Sequence, residues 1–221
     1  MKKILEETLK ELKEHIPFTA TATLFSVIIM SFLLIKQNFI PHAISMYYFF
    51  HPTHIIFSSL VSSAIFYNHT KKIFPAIITG ALISLFIGSL SDSIFPYLGS
   101  QLFQIPISFH LPALENPILI LGASLIGATI GIAIRKTRFP HFLHVFISVF
   151  ASLLYIFAYS TNFSILNIFL IFIITSVSVV IPCCLSDIVF PMIFQNRLRS
   201  TSHEHKFSRK FERKKPEVSS Q

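Results

Sequence analysis

The sequence predicts an all-α integral membrane protein with six transmembrane helices, arranged as two inverted repeats of three helices. Three observations support this fold class. First, 52% of the 221 residues are hydrophobic and only 13% are charged, with a mean hydropathy of +0.67, which is more apolar than a soluble domain of this size requires. Second, six apolar segments follow one another along the chain. Third, a polar pattern in the second segment recurs in the fifth.

The apolar segments cover residues 16–35, 47–67, 73–98, 116–134, 140–160 and 164–195. Each is long enough to cross about 30 Å of hydrocarbon at about 1.5 Å per residue. Basic residues are concentrated in alternate connections: Lys71 and Lys72 follow the second segment, Arg135, Lys136 and Arg138 follow the fourth, and a basic tail follows the sixth. Cytoplasmic loops are rich in Lys and Arg, so both termini are predicted to be cytoplasmic, in a plasma membrane or a bacterial inner membrane.

This topology divides the chain into five parts. Residues 1–15 form a cytoplasmic amphipathic segment, 16–98 the first repeat, 99–115 an external loop, 116–195 the second repeat and 196–221 a basic cytoplasmic tail. The tail is expected to face anionic lipid, and the net charge of +8 does not indicate nucleic-acid binding, because the basic residues lie where membrane topology requires them. The external loop is half apolar, and it is either an ordinary loop or one that dips into the outer surface of the protein.

One polar stripe occurs in both repeats. The pattern His-x-x-His-x-x-x-Ser-x-x-x-Ser lies at positions 51–62 and again at 141–152. At helical spacing, all four side chains of each copy fall on one face. Each copy is followed by Ser-Asp-x-x-Phe-Pro, which contains Asp92 in the first repeat and Asp187 in the second. The stripe residues are His51, His54, Ser58 and Ser62 in the first copy, and His141, His144, Ser148 and Ser152 in the second.

The repeats are predicted to be inverted, because each contains three spans and three is an odd number. Under this topology the first histidine pair lies near the outer surface and the second near the cytoplasm, separated by half the membrane thickness or more. Pro96 and Pro191 each follow an aspartate by four residues. A proline at that position disturbs the helix and frees backbone oxygens beside the carboxylate.

The two intramembrane aspartates require partners, because an ionised side chain at this depth costs about 2.5–3.5 kcal/mol. One hypothesis is a divalent metal site, since imidazole, carboxylate and thiolate ligands together favour an ion such as zinc. An alternative is that the same histidines and aspartates relay protons or simply neutralise buried polarity. The metal ligands predicted under the first hypothesis are His51, His54, Asp92, His141, His144, Cys184 and Asp187.

These features predict a small transporter or channel that moves a divalent metal cation or a proton-coupled small solute through pseudo-symmetric His/Asp half-sites. Its partners are the lipid bilayer and the small ion or solute, and a homodimer is plausible because six short helices enclose little volume. Two alternatives stay open: a membrane-embedded enzyme acting on a lipid-linked substrate, and a non-catalytic membrane scaffold. The enzyme is less favoured because the sequence has no HExxH or G-x-S-x-G motif.

Overall fold

The computed structural model describes residues 17, 20–29, 31–32, 42–135, 138–160 and 167–184. These residues are helical apart from short connections, and the part of the chain they cover contains no β-strand, only one isolated bridge between Ile107 and Ser160. The all-α prediction is therefore confirmed for this part. In chain order the helices are α1 (Ala20–Ile29), α2 (Ala43–Thr70), α3 (Ile73–Ser89), a π-helical turn (Leu90–Ile94), α4 (Phe95–Leu102), α5 (Pro112–Glu115), α6 (Pro117–Ile134), α7 (Arg138–Tyr159) and α8 (Asn167–Cys184).

Three helical stretches are long and apolar enough to cross a membrane, namely Ala43–Asn68, Ile73–Leu102 and Pro117–Ile134. They coincide with the second, third and fourth predicted segments. Within the described residues, the other three predicted segments contain shorter apolar helices, Ala20–Ile29, Leu143–Tyr159 and Phe169–Pro182. Large side chains such as Phe74, Leu82 and Ile118 are exposed on the long helices, as expected for surfaces that face lipid rather than water.

Helix α2 lies at the centre of the bundle and packs against α3, α6 and α7. Its contact with α6 is close because α6 presents glycines there. A β-carbon at Gly127 would overlap the carbonyl oxygen of Ile56, and one at Gly131 would overlap that of Leu60. The Ser63 hydroxyl also donates a hydrogen bond of 2.8 Å to the carbonyl of Ala128. Small residues let membrane helices approach in this way.

Replacing Gly131 with leucine is expected to lower the thermal stability of the detergent-solubilised protein, because overpacking a close contact costs about 1–3 kcal/mol. The matched control is Gly122→Leu on the same helix, where a β-carbon would meet no atom within 4 Å. The measurement is the unfolding midpoint of each variant. Equal midpoints for the two variants would contradict the close packing of α6 on α2.

The connection between α4 and α5 packs against the bundle. Ile105 and Ile107 are buried, and the backbone N–H of Ser108 donates a hydrogen bond of 3.2 Å to the carbonyl of Tyr159 at the end of α7. Residues 105–108 of the predicted external loop are therefore packed against the helices. Burial of its isoleucines and pairing of its backbone groups give a physical reason for this position.

Two basic residues meet at the opposite end of the bundle. Lys71 and Arg135 end α2 and α6, and both adopt a left-handed backbone with φ of 57°. The Lys71 ammonium lies 5.8 Å from the centre of the Tyr67 ring and the Arg135 guanidinium lies 5.1 Å from it. The basic connections after the second and fourth segments therefore lie at the same end.

Candidate functional site

A buried carboxylate, Asp92, is the centre of a polar cluster. Its Oδ2 atom lies 2.9 Å from Nδ1 of His51 and 2.7 Å from Nδ1 of His54. Its Oδ1 atom accepts hydrogen bonds from the hydroxyls of Ser91, at 2.7 Å, and Ser148, at 3.0 Å. All five side chains come from residues that are completely buried. We call these five residues the Asp92 centre.

The backbone positions Asp92 in a π-helical turn, Leu90–Ile94, between α3 and α4. The N–H of Phe95 bonds to the carbonyl of Leu90, five residues earlier, instead of the usual four. The cause lies in the sequence. Pro96 has no N–H, and in a regular α-helix its ring would clash with the carbonyl of Asp92. The disturbance predicted from Pro96 is therefore present as a wide turn, a feature that is frequent at functional sites.

His51 and His54 reach the same carboxylate oxygen because they lie three residues apart on one face of α2. An ionised carboxylate only accepts hydrogen bonds, so each imidazole presents its Nδ1–H to Oδ2. Their Nε2 atoms are buried and have no hydrogen-bond partner among the described residues. Each ring is therefore held by one nitrogen while the other remains available.

The charge of the Asp92 centre is unbalanced when both imidazoles are neutral. One ionised carboxylate then faces two neutral rings and two hydroxyls, which gives the cluster a net charge of −1. A buried charge without a counter-charge is strongly unfavourable in a membrane helix bundle. A proton or another cation bound at an imidazole would compensate it.

One histidine of the second set, His144, contacts the first set. The ring of His144, on α7, stacks on the ring of His54 with centroids 4.9 Å apart and planes 8° apart. The prediction that these sets are separated by half the membrane thickness is therefore wrong for this pair. The prediction placed His54 near the start of its helix. Helix α2 begins earlier, at Ala43, so His54 lies about 17 Å along it.

Both serines of the second stripe form hydrogen bonds, and that of Ser148 is to Asp92. In addition to the bond from Ser148 to Asp92, the Ser152 hydroxyl lies 2.9 Å from the carbonyl of Ser91 and 2.8 Å from that of Ser148. On α2, the hydroxyls of Ser58 and Ser62 are buried and have no hydrogen-bond partner in the part of the chain that the structure describes. The two stripes thus face each other across the contact between α2 and α7.

The predicted metal set is only partly described. Asp187 lies outside the described residues, and the side chains of His141 and Cys184 lie outside them too. The Asp92 oxygens are bonded to the two Nδ1 atoms and to two hydroxyls. In the described ranges, no group of three or more His, Cys, Asp or Glu side chains is arranged to hold a metal ion.

Three residues of this region were not predicted from the sequence. Ser91 bonds to Asp92, and the hydroxyl of Tyr47 lies 2.7 Å from that of Ser93. The Tyr47 ring stacks on His51, with centroids 5.5 Å apart. A signal was present for two of them: Tyr47 extends the polar stripe by one helical turn before His51, and Ser91 belongs to the repeated Ser-Asp-x-x-Phe-Pro pattern.

In the Asp92 centre, His51 and His54 are each held through Nδ1 by the carboxylate, and Nε2 is the nitrogen that can act as a base. A carboxylate that holds Nδ1–H orients an imidazole and makes its Nε2 a better acceptor for a proton or a metal ion. With two such rings on one oxygen, the site suits cation binding. The chain matches no protein-family model, and comparisons with curated proteins and with solved structures give no significant match.

Proposed function

We propose that the chain is a small multi-pass membrane transporter in which the Asp92 centre binds a proton that is coupled to movement of a small solute. The observation that carries this proposal is the pair of buried imidazoles, His51 and His54, on a single carboxylate oxygen. Binding one proton at a free Nε2 would cancel the net charge of the cluster. A site that is neutral when loaded and charged when empty favours uptake of the cation inside the bilayer.

The proposal includes a six-span topology with both termini in the cytoplasm of a plasma membrane or bacterial inner membrane. It is supported by the shared position of Lys71 and Arg135 beside Tyr67 at one end of the bundle. The connection between α4 and α5 and the residue Glu115 lie at the other end of the bundle, which would be the outer one.

We also propose that the two repeats are related by a pseudo-two-fold axis that passes through the centre of the bundle. Its support is the stacking of His54 on His144, because these are equivalent positions of the two copies. Contact between equivalent residues is what a two-fold axis requires at the axis itself. The two predicted half-sites then become the two sides of one central site.

The proposed symmetry predicts the hydrogen-bond partners of the second carboxylate, Asp187. Ser148 bonds to Asp92 and Ser152 to the carbonyl of Ser91. Exchanging the copies gives the equivalent pairs, in which Ser58 would bond to Asp187 and Ser62 to the carbonyl of Ser186. The buried hydroxyls of Ser58 and Ser62, without hydrogen-bond partners in the described residues, support this assignment.

Divalent metal transport is a second candidate. It is favoured by the fixed orientation of His51 and His54, since a carboxylate on Nδ1 with Nε2 available is the arrangement of many metal-binding histidines. The further ligands would be His141, His144 and Cys184. The solute or ion would reach the site along the facing stripes of α2 and α7.

The test of the proposed function measures proton uptake by liposomes that contain the full chain and a trapped pH-sensitive dye. After external acidification, uptake should be faster than in empty liposomes, and His51→Gln with His54→Gln should remove the difference. His203→Gln in the C-terminal tail is the matched control and should behave like the wild type. Wild-type uptake no faster than in empty liposomes would contradict the proposal. Metal that co-purifies with the wild type and is lost in the double variant would instead support the second candidate.

A further inference from the structure

A second carboxylate–imidazole pair lies near the surface at the loop end of the bundle. Nδ1 of His110 lies 2.9 Å from Oε1 of Glu115, and the backbone N–H of Leu111 donates to the same oxygen at 3.3 Å. The Tyr48 hydroxyl donates to Oε2. The side chains of His110 and Glu115 are 39% and 34% exposed, so both are accessible from outside the bundle.

The pair repeats the chemistry of the Asp92 centre in an accessible position. Burial raises the pKa of the Glu115 carboxyl, but the hydrogen bonds from Tyr48 and His110 lower it more, so the pKa lies below its ordinary value. Glu115 is therefore ionised at neutral pH and holds Nδ1 of His110. The Nε2 atom of that ring is the nitrogen left to accept a proton.

A column of tyrosines joins this pair to the buried centre. The ring of His110 stacks on Tyr159, with centroids 4.1 Å apart. The next ring inward is that of Tyr47, whose centroid lies 5.9 Å from that of Tyr159 and 5.4 Å from that of Tyr155. Tyr47 is completely buried, and its ring also stacks on that of His51. Two aromatic rings, those of Tyr159 and Tyr47, therefore separate His110 from His51, and Tyr47 is the one in contact with the Asp92 centre.

We propose that Glu115 and His110 form a proton-loading site for the Asp92 centre, and that the ring of Tyr47 is the barrier between the two. The proposal rests on the proposed function, because it takes the Asp92 centre to bind protons. The titratable groups that face the Glu115–His110 pair are Tyr48 from α2 and Tyr155 and Tyr159 from α7. These tyrosine hydroxyls are neutral at physiological pH, so the charge at the pair is set by Glu115 and His110 themselves.

The hydroxyl of Tyr47 explains how the barrier is held in place. Its bond of 2.7 Å to Ser93 fixes the ring to the π-helical turn that also contains Asp92. A shift of this turn would therefore move the barrier and the carboxylate together. Passage of a proton from His110 to His51 would then accompany a rearrangement at Asp92, as coupling of a proton to transport requires.

The experiment measures the initial rate of proton uptake by liposomes containing the full chain, with the membrane potential clamped by potassium and valinomycin. Glu115→Gln and His110→Gln should each slow uptake roughly tenfold, because each removes a hydrogen bond to a charged group worth about 1.5 kcal/mol. Glu204→Gln, which removes a carboxylate from the C-terminal tail, is the matched control. Tyr47→Ala should raise the rate and make it independent of Glu115, whereas Tyr67→Ala at the other end of α2 should not.

The variants separate failure of this inference from failure of the proposed function. Uptake that is lost in Asp92→Asn but normal in both Glu115→Gln and His110→Gln would overturn the loading site and leave the proposed function standing. Uptake that is normal in Asp92→Asn would overturn the proposed function and this inference with it. If Tyr47→Ala does not fold, the partly exposed Glu115 and His110 variants alone decide the outcome.

Discussion

Proton uptake is expected to fall by about 100-fold when Asp92 is replaced with asparagine, because each lost hydrogen bond to a charged group costs about 1.5–3 kcal/mol. Asparagine fills nearly the same volume but has no charge and offers only one acceptor oxygen to His51 and His54. The protein should still fold, since the change removes a buried charge rather than creating one. The measurements are proton uptake in liposomes and the unfolding midpoint in detergent.

The matched control for this change is Ser84→Ala on α3. The Ser84 side chain is also buried, but among the described residues its hydroxyl donates to the carbonyl of Ala81 in the same helix. It should retain uptake with a similar unfolding midpoint. Normal uptake in the Asp92→Asn protein would show that the carboxylate has a packing role only, and the Asp92 centre would lose its proposed function.

The second large effect is expected at Asp187, which the proposed repeat makes equivalent to Asp92. Asp187→Asn should reduce uptake as much as Asp92→Asn does. The proposed bond between Ser58 and Asp187 is tested by a double-mutant cycle with Ser58→Ala. Since a hydrogen bond to a charged group is worth about 1.5–3 kcal/mol, a coupling free energy of about that size is expected between the two positions.

The cycle has an internal control in the described part of the structure. Ser148 bonds to Asp92, so Ser148→Ala should couple to Asp92→Asn and not to Asp187→Asn. Ser58→Ala should show the reverse preference. Coupling of Ser58 to Asp92, or to neither aspartate, would rule out the pseudo-two-fold arrangement, because the two serines would then not be equivalent.

Features of the fold that depend on residues close together in the sequence could be predicted. Apolar length gave the positions of α2, α3 with α4, and α6 to within a few residues. The stripe of His51, His54, Ser58 and Ser62 followed from helical spacing alone, and all four residues are buried on α2. Pro96 indicated a disturbed helix at Asp92, and a π-helical turn is present there.

The relative depth of the two stripes could not be predicted in the same way. It depends on how α2 and α7 cross, and crossing is decided by side-chain packing between helices that are far apart in the sequence. The error at His144 arose from counting residues from the ends of apolar segments, although α2 extends beyond its apolar core. The partners of Glu115 could not be predicted either, because Tyr48 and His110 contact it only as a result of how the loop packs.

The π-helical turn contains one more residue than a regular turn of α-helix, and the position of this extra residue along the helix can change. The wide turn can move along the chain by one residue at a time. The residues that it passes would rotate by about 100° about the helix axis, while the helix on either side stayed intact. Asp92 lies inside this turn, and Ser93 attaches Tyr47 to it. A change of register confined to five residues could thus turn the carboxylate away from His51 and His54 without any movement of the surrounding bundle.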